Sequence, residues 1–287
     1  MLFYAYLERD SLQNAFGGGR GMEECKRAVF TLNPAESKRL IGKAVSQMPA
    51  VQKALREGKV FISGGTTNAF VAEEILKISL PKERCTSGVV TQGFQCVTPP
   101  EERMRPFLLV KGKVWEGEWG KEIETFGAGD VFIKGANAID AEGLAGVLLA
   151  DRQGGTIARL LGLAAARGIT LIVPVGLEKM IPSVRAAVRA AGIERWDYRL
   201  GMAVGIMPVM NGVIVTEVQA LEILFGVKAT PLAAGGVGGS EGAVVLAIEG
   251  AEKSVLAAWE TIKQIKGEKP IPALKRTCAD CPDPCDL

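Results

Sequence analysis

The sequence predicts an α/β protein: a mostly parallel sheet with helices on both faces, followed by a small C-terminal α+β layer. Between residues 60 and 191, short β-prone runs alternate with segments of helical periodicity. Several of these runs end in glycine-rich turns that lead directly into a helix. After about residue 200 the order changes to β-α-β-β-α. Alternating strands and helices are typical of parallel strands joined by right-handed crossovers.

Length and composition fit an ordinary core-forming protein. The chain has 287 residues, of which 48% are hydrophobic and 23% are charged. Its 34 basic and 32 acidic residues nearly cancel, so the sequence predicts no nucleic-acid partner. No apolar stretch reaches the roughly 18 residues of a membrane span, and the N-terminus lacks the pattern of a signal peptide. We therefore expect a cytoplasmic protein without a membrane partner. A homo-oligomer is compatible with the sequence.

The first helices have clear start signals. Asn33, Pro34 and Glu36 form an N-cap, a first-position proline and a capping-box acid. Pro49 then begins a second short helix, which Gly58 ends. The strands that we expect after it cover residues 60–63, 89–97, 107–115 (a hairpin), 130–134, 146–150 and 169–175, with helices after the loops at 64–68, 151–156 and 176–179.

The sequence predicts that the chain is divided into four segments. In the last part, a hairpin turn is expected at residues 210–213, a helix at 217–225, two strands around a glycine-rich loop at 235–239, and a final helix. The predicted organisation is a poorly ordered leader (1–26), an α/β ligand-binding domain (27–200), a small α+β subdomain (201–269) and a tail rich in cysteine and proline (270–287).

Two glycine-threonine loops indicate a binding site. In open parallel sheets, ligands bind outside the carboxyl ends of the strands. Glycines there allow close backbone approach, and a helix N-terminus offers unpaired N–H groups to phosphate or carboxylate. Ordinary βα turns capped by threonine would look the same. The expected ligand-binding residues are Gly64, Gly65, Thr66, Thr67, Asn68, Lys134, Gly135, Asn137, Gly154, Gly155 and Thr156.

Two of these motifs resemble a known superfamily. Residues 64–74 (GGTTNAFVAEE) are similar to the sugar-phosphate loop of the glucosamine-phosphate isomerase, ribose-phosphate isomerase and CoA-transferase-like proteins. Residues 130–143 (DVFIKGANAIDAEG) resemble their second hallmark, and the similarity covers residues 58–192. It implies a phosphorylated sugar, a nucleotide or a CoA-type ligand. The superfamily also contains the ligand-sensing domains of sugar-responsive repressors, so the resemblance leaves enzyme and sensor open.

The candidate catalytic residues are Asp140, Glu178 and Lys179. The chain has no histidine, which excludes histidine-based triads and zinc sites and leaves proton transfer to other groups. The resemblance implies an aspartate where this chain has Asn137, and an amide cannot act as a general base. It also implies a glutamate nucleophile in CoA transferases, for which Glu178 is the candidate; the alternative for Glu178 is an exposed acid in the first turn of a helix.

Three cysteines close to the C-terminus form the last motif. Cys278, Cys281 and Cys285 have a spacing that can converge on zinc or on an iron–sulfur cluster, with a fourth ligand from elsewhere. The alternative is a frayed tail whose thiols bind nothing. No cofactor is required for the function that we expect, which is binding of a small anionic molecule by an isomerase- or transferase-like protein. The alternatives are a non-catalytic sensor and a metal or redox protein that uses the tail.

Overall fold

The computed structural model describes residues 25–279, 281 and 285–286. The predicted leader therefore lies almost wholly outside the described residues. Its last two positions, Cys25 and Lys26, begin a strand. The strands are β1 (Cys25–Leu32), β2 (Lys59–Ile62), β3 (Gly88–Thr91), β4 (Phe94–Val97), β5 (Phe107–Val110), β6 (Lys113–Val114), β7 (Val131–Ile133), β8 (Ala138–Ile139), β9 (Ala145–Leu149), β10 (Thr170–Pro174), β11 (Gly205–Val209), β12 (Val213–Val215), β13 (Lys228–Gly235) and β14 (Ala243–Ala251).

Except for the short helix Trp119–Glu122, which the sequence did not predict, the helices begin and end close to the predicted residues. They are α1 (Pro34–Gln47), α2 (Pro49–Glu57), α3 (Thr66–Leu76), α4 (Trp119–Glu122), α5 (Gly155–Arg167), α6 (Val184–Ala190), α7 (Glu217–Phe225) and α8 (Glu252–Ile265). The capping interaction at α1 is present, because the Glu36 carboxylate accepts the Asn33 backbone N–H at 2.8 Å. Gly226 ends α7 in the left-handed conformation that glycine favours.

A six-stranded mixed sheet forms the centre of the molecule, in the order β12-β10-β7-β2-β5-β6. The first four strands are parallel, whereas β5 and β6 are antiparallel additions at one edge. The α/β class is confirmed. The parallel arrangement that we expected is limited to these four strands.

The central sheet is buried on both faces, as its alternating side chains require. On one face, Val60, Val131 and Ile172 pack into the larger core with α1, α2, α3 and α7. On the other face, Phe61, Phe132 and Leu171 pack with α5.

Two smaller antiparallel sheets contain strands that were predicted incorrectly from the sequence. Residues 146–150 were expected to be a parallel strand, but β9 lies in the sheet β11-β9-β8. A tight turn with Gly143 at φ 78° folds β8 back onto β9. A five-residue apolar run does not reveal which partner it will have. Residues 89–97 are likewise the hairpin β3-β4, not one strand.

The boundary expected at residue 200 does not separate two sheets. β11 pairs with β9 and β12 pairs with β10, so the start of the predicted subdomain belongs to the main body. For the same reason, residues 210–213 do not form a hairpin. The fourth sheet, β1-β14-β13, joins the first described strand to the C-terminal part of the fold, because β1 pairs antiparallel with β14 from Cys25↔Ala251 to Leu32↔Val244.

Candidate functional site

The candidate site lies where the four parallel strands end. Because β2, β7, β10 and β12 are neighbours that run in one direction, the segments that follow them meet at the same edge. Residues 63–68, 134–137, 175–179 and 216–217 are those segments. Three of the four contain residues that the sequence analysis selected.

The first loop leads from β2 into α3 and is held by Asn68. The Asn68 amide nitrogen donates to the Ser63 carbonyl at 2.8 Å, and the side chain is 1% exposed. Its Oδ1 atom has no hydrogen-bond partner among the described residues, and neither has the buried Thr67 hydroxyl. Buried polar atoms are normally paired, so these two are the atoms a ligand or a water molecule would satisfy. The Gly65 N–H, in contrast, already donates to the Cys85 carbonyl at 2.6 Å.

Two lysines lie side by side at the centre of the edge. Lys134 follows β7 and Lys179 follows β10, and each is partly exposed. Lys134 Nζ donates to the Gly135 carbonyl at 3.2 Å, and Lys179 Nζ donates to the Ala136 carbonyl at 2.9 Å. Neither forms an ion pair with the described part of the chain. Burial, together with the charge of Lys179, lowers the pKa of Lys134 to about 8.

The pKa of Lys179 is also lowered. Burial is the main cause, and the positive charge of Lys38 acts in the same direction. The carboxylates of Glu178 and Glu217 oppose this shift. Lys179 is therefore the centre of a cluster that holds both signs of charge.

Glu178 pairs with a lysine from another part of the chain. Its Oε1 atom accepts from Lys38 Nζ of α1 at 2.8 Å, while its Oε2 atom is buried without a partner among the described residues. Burial works against ionisation, but Lys38 and Lys179 outweigh it and lower the pKa of Glu178. The carboxylate folds back over Gly176, so that a Cβ atom at position 176 would overlap it. Gly242, from the glycine-rich loop between β13 and β14, lies against the same side chain.

Glu217 lies behind this turn and is fully buried. Its carboxylate accepts the Leu177 N–H at 2.9 Å, which fixes the turn that carries Glu178. Burial and the nearby charge of Glu178 raise the pKa of Glu217 to about 7, although the hydrogen bond from Leu177 opposes the rise.

Lys38 and Glu217 are not among the site residues predicted from the sequence. Lys38 precedes Ile41 by three residues and Val45 by seven, so it lies on the apolar side of α1. A lysine on the apolar side of a helix could have been recognised from the sequence as a buried, functional candidate. Glu217 is the first residue of a helix that follows a strand, but β12 was not recognised as a strand of the parallel sheet.

Asp140 and Asn137 have backbone partners. The two carboxylate oxygens of Asp140 accept the N–H groups of Glu142, Leu144 and Val184 at 2.9–3.1 Å, which anchors the β8-β9 turn. Asn137 is exposed, and its Oδ1 atom accepts the Leu148 N–H of β9 at 3.0 Å. Their predicted roles in catalysis and binding stay predictions, and the proposal below assigns neither of them a proton-transfer step.

The second glycine-threonine loop follows a different sheet from the first. Gly154, Gly155 and Thr156 come after β9, which is antiparallel and outside the central sheet. The expectation that this loop follows a parallel strand is therefore wrong. Its close neighbours are Asp151, Ala158 and Met207, not residues of the first loop. A ligand-binding role for Gly154–Thr156 is untested.

The cysteine tail contacts the body through backbone groups and through the Asp286 side chain. Arg276 N donates to the Val97 carbonyl at 3.0 Å, and Arg199 N donates to the Asp286 carboxylate at 2.7 Å. Cys278 is exposed, whereas Cys281 and Cys285 are partly buried. Within the described residues, no three His, Cys, Asp or Glu side chains are arranged to hold a metal ion. Metal binding by the tail remains a hypothesis.

Comparisons with known proteins assign the chain to no family. In the described part of the chain, no helix has the length and apolar character needed to cross a membrane. No family model matches the chain, no curated protein matches it in sequence, and no solved structure matches its fold.

Proposed function

We propose that the protein binds a small anionic molecule at the carboxyl edge of β2, β7, β10 and β12. The observation that carries this proposal is the pair of neighbouring ammonium groups of Lys134 and Lys179, whose hydrogen-bond partners are backbone carbonyls. Two like charges side by side repel each other, and this is one cause of the lowered pKa of Lys134. An anion bound between them would remove the repulsion.

The charge balance of the cluster favours the same ligand. Lys38 and Lys179 interact with the carboxylate of Glu178, and Glu217 interacts with Lys179. Lys134 adds a third ammonium group beside Lys179. With a pKa of about 7, Glu217 is half-protonated at neutral pH. The cluster is therefore net positive, and its surplus lies on the partly exposed lysines.

The ligand class follows from the neighbouring groups. Phosphate and carboxylate both accept from ammonium groups, and Asn68 Oδ1 next to Gly135 offers an acceptor for a hydroxyl group. A phosphorylated sugar combines these features. A nucleotide or a CoA-type molecule shares the phosphate, and all three agree with the superfamily resemblance of residues 58–192.

Calorimetric titration tests this proposal. Ribose 5-phosphate and inorganic phosphate should bind to the wild type, whereas ribose should bind much more weakly. Lys134→Gln and Lys179→Gln should each weaken phosphate binding by roughly tenfold or more, about 1.4 kcal/mol, which is typical of a lost charge-assisted contact. Lys253→Gln removes an exposed lysine on α8 and should leave binding unchanged. Equal binding by all four proteins would refute the proposal.

Acyl transfer through Glu178 is a second candidate function. It is favoured by one observation: the Oε2 atom of Glu178 is buried and unpartnered among the described residues. The lowered pKa of this carboxyl group favours its nucleophilic, ionised form. If Glu178 attacks an acyl-CoA, intact-protein mass spectrometry after incubation with acetyl-CoA should show a covalent adduct that Glu178→Gln lacks. Binding without an adduct and without turnover would leave the sensor alternative.

A further inference from the structure

We propose that Lys134 is a nucleophilic amine that forms an imine with an aldehyde or ketone group of the bound molecule. The proposal deepens the proposed function, on which it rests for the anionic part of the substrate. It assigns to the site a carbonyl compound that carries both an anionic group and a hydroxyl group.

The first argument is the placement of Lys134. It directly follows the strand at the middle of the parallel set, with the Asn68 loop of β2 on one side and Lys179 on the other. The only hydrogen bond of its side chain within the described residues is a long one, at 3.2 Å, to the adjacent Gly135 carbonyl. A lysine with a structural role would be expected to pair with a carboxylate, as Lys38 does with Glu178.

The second argument is the set of charges around the amine. Lys179 is the charged group that acts directly on Lys134. Lys179 in turn faces Glu178, Glu217 and Lys38, and the two carboxylates favour its charged form. The positive charge of Lys179, which these carboxylates favour and burial opposes, disfavours protonation of Lys134. A lysine beside another cation in a desolvated place is a known way to activate an amine.

The effect on the free amine is large. With a pKa of about 8, about a quarter of Lys134 is neutral at pH 7.5. An ordinary lysine, with a pKa of 10.5, has only about 0.1% of neutral amine at that pH. Lys134 therefore offers on the order of 200 times more nucleophile than a surface lysine.

The chemical step balances without an additional reactant. The neutral Lys134 nitrogen adds to the carbonyl carbon, and the carbonyl oxygen takes up a proton from the neighbouring Lys179 ammonium group. The C–O bond of the resulting carbinolamine then breaks. The oxygen leaves as water, which carries one proton from Lys179 and one from the Lys134 amine. The second proton of the amine returns to Lys179 and restores its ammonium group. The C=N bond of the imine remains. No oxidation or reduction takes place.

The unpartnered Asn68 Oδ1 atom adds specificity. It is buried and directed toward Gly135, the residue next to Lys134. A hydroxyl group close to the carbonyl carbon of the substrate would satisfy this acceptor.

Reductive trapping separates this proposal from the anion site. The full-length protein is treated at pH 7 with sodium cyanoborohydride and one of two aldehydes, neutral acetaldehyde or anionic glyoxylate, and the modified lysines are mapped by mass spectrometry. Both aldehydes should modify Lys134 at least tenfold faster than Lys253. Glyoxylate should react faster than acetaldehyde relative to Lys253, and inorganic phosphate should suppress that advantage.

Variants of Lys179 provide the control. Lys179→Gln should slow trapping at pH 7 and move its midpoint to higher pH, because the neighbouring positive charge is lost. Lys179→Arg keeps the charge and should largely keep the wild-type midpoint. Lys253→Gln should not alter either value.

Different results would overturn the imine proposal and the anion-site proposal. Modification of Lys134 by neither aldehyde, or at the rate of Lys253, would overturn the imine proposal whether or not phosphate binds. Rapid modification of Lys134 by both aldehydes, without a glyoxylate advantage and without phosphate competition, would support the reactive amine and overturn the proposed anion site.

Discussion

Replacing Glu217 by glutamine should change how the stability of the protein depends on pH. Glu217 has no exposed surface, and its carboxylate accepts the Leu177 N–H. Burial and the charge of Glu178 raise its pKa to about 7, from an ordinary value of 4.5. Glutamine has a similar shape and keeps an oxygen for the Leu177 bond, but it does not titrate.

The sign and the size follow from proton linkage. Between pH 4.5 and pH 7 the unfolded chain has lost the Glu217 proton while the folded protein still holds it. The wild type therefore loses stability as the pH rises through this window, and the loss is complete above pH 7. The difference between the two pKa values corresponds to about 3 kcal/mol. Because the variant lacks this loss, its free energy of unfolding relative to the wild type should rise by about 3 kcal/mol between pH 4 and pH 8.

Urea denaturation at one-unit intervals from pH 4 to pH 8 measures this difference. Other titrating groups act in both proteins, so they largely cancel when wild type and variant are compared. Glu222→Gln changes an exposed glutamate of the same helix and serves as the matched control, with a difference that should stay nearly constant. A constant difference for Glu217→Gln would show that the pKa of the buried Glu217 carboxyl is not raised in the folded protein.

Three further predictions concern the turn, the reaction and the tail. Gly176→Ala should destabilise the protein by about 3 kcal/mol in urea denaturation, because the new Cβ atom displaces the Glu178 carboxylate from Lys38. The backbone conformation at position 176 suits alanine, so the effect comes from the side chain. An unchanged denaturation midpoint would contradict this prediction. Ribose 5-phosphate should not be isomerised, since Asn137 supplies no carboxylate, and ready turnover in a coupled assay would show the opposite. Deletion of residues 277–287 should change stability by less than about 1 kcal/mol, because none of its described residues belongs to the buried core. Elemental analysis should find zinc or iron only in the full-length chain if the tail binds metal, and equal metal in both would exclude the tail as the ligand.

Local sequence signals were sufficient for the elements that position the site. The loops after β2, β7 and β10 were located because apolar runs end there in glycine or in a polar turn, and α1 and α7 were located from their caps. Each of these signals acts within a few residues along the chain.

Features that depend on distant residues could not be predicted in this way. β1 is a strand because it pairs with β14, more than 200 residues later. β9 joins a separate sheet because a tight turn at Gly143 returns it to β8. The pairing of Lys38 with Glu178 likewise joins residues 140 positions apart, and no spacing rule connects them.

The most direct test of the central claim is to locate a bound anion. Crystals of the protein soaked in tungstate would show the ion through its anomalous scattering. The account predicts a tungstate within hydrogen-bond distance of Lys134 Nζ and Lys179 Nζ, and its loss in the Lys134→Gln/Lys179→Gln double variant. Tungstate bound only elsewhere, or bound at this edge equally in the double variant, would contradict the claim that these two lysines form an anion site.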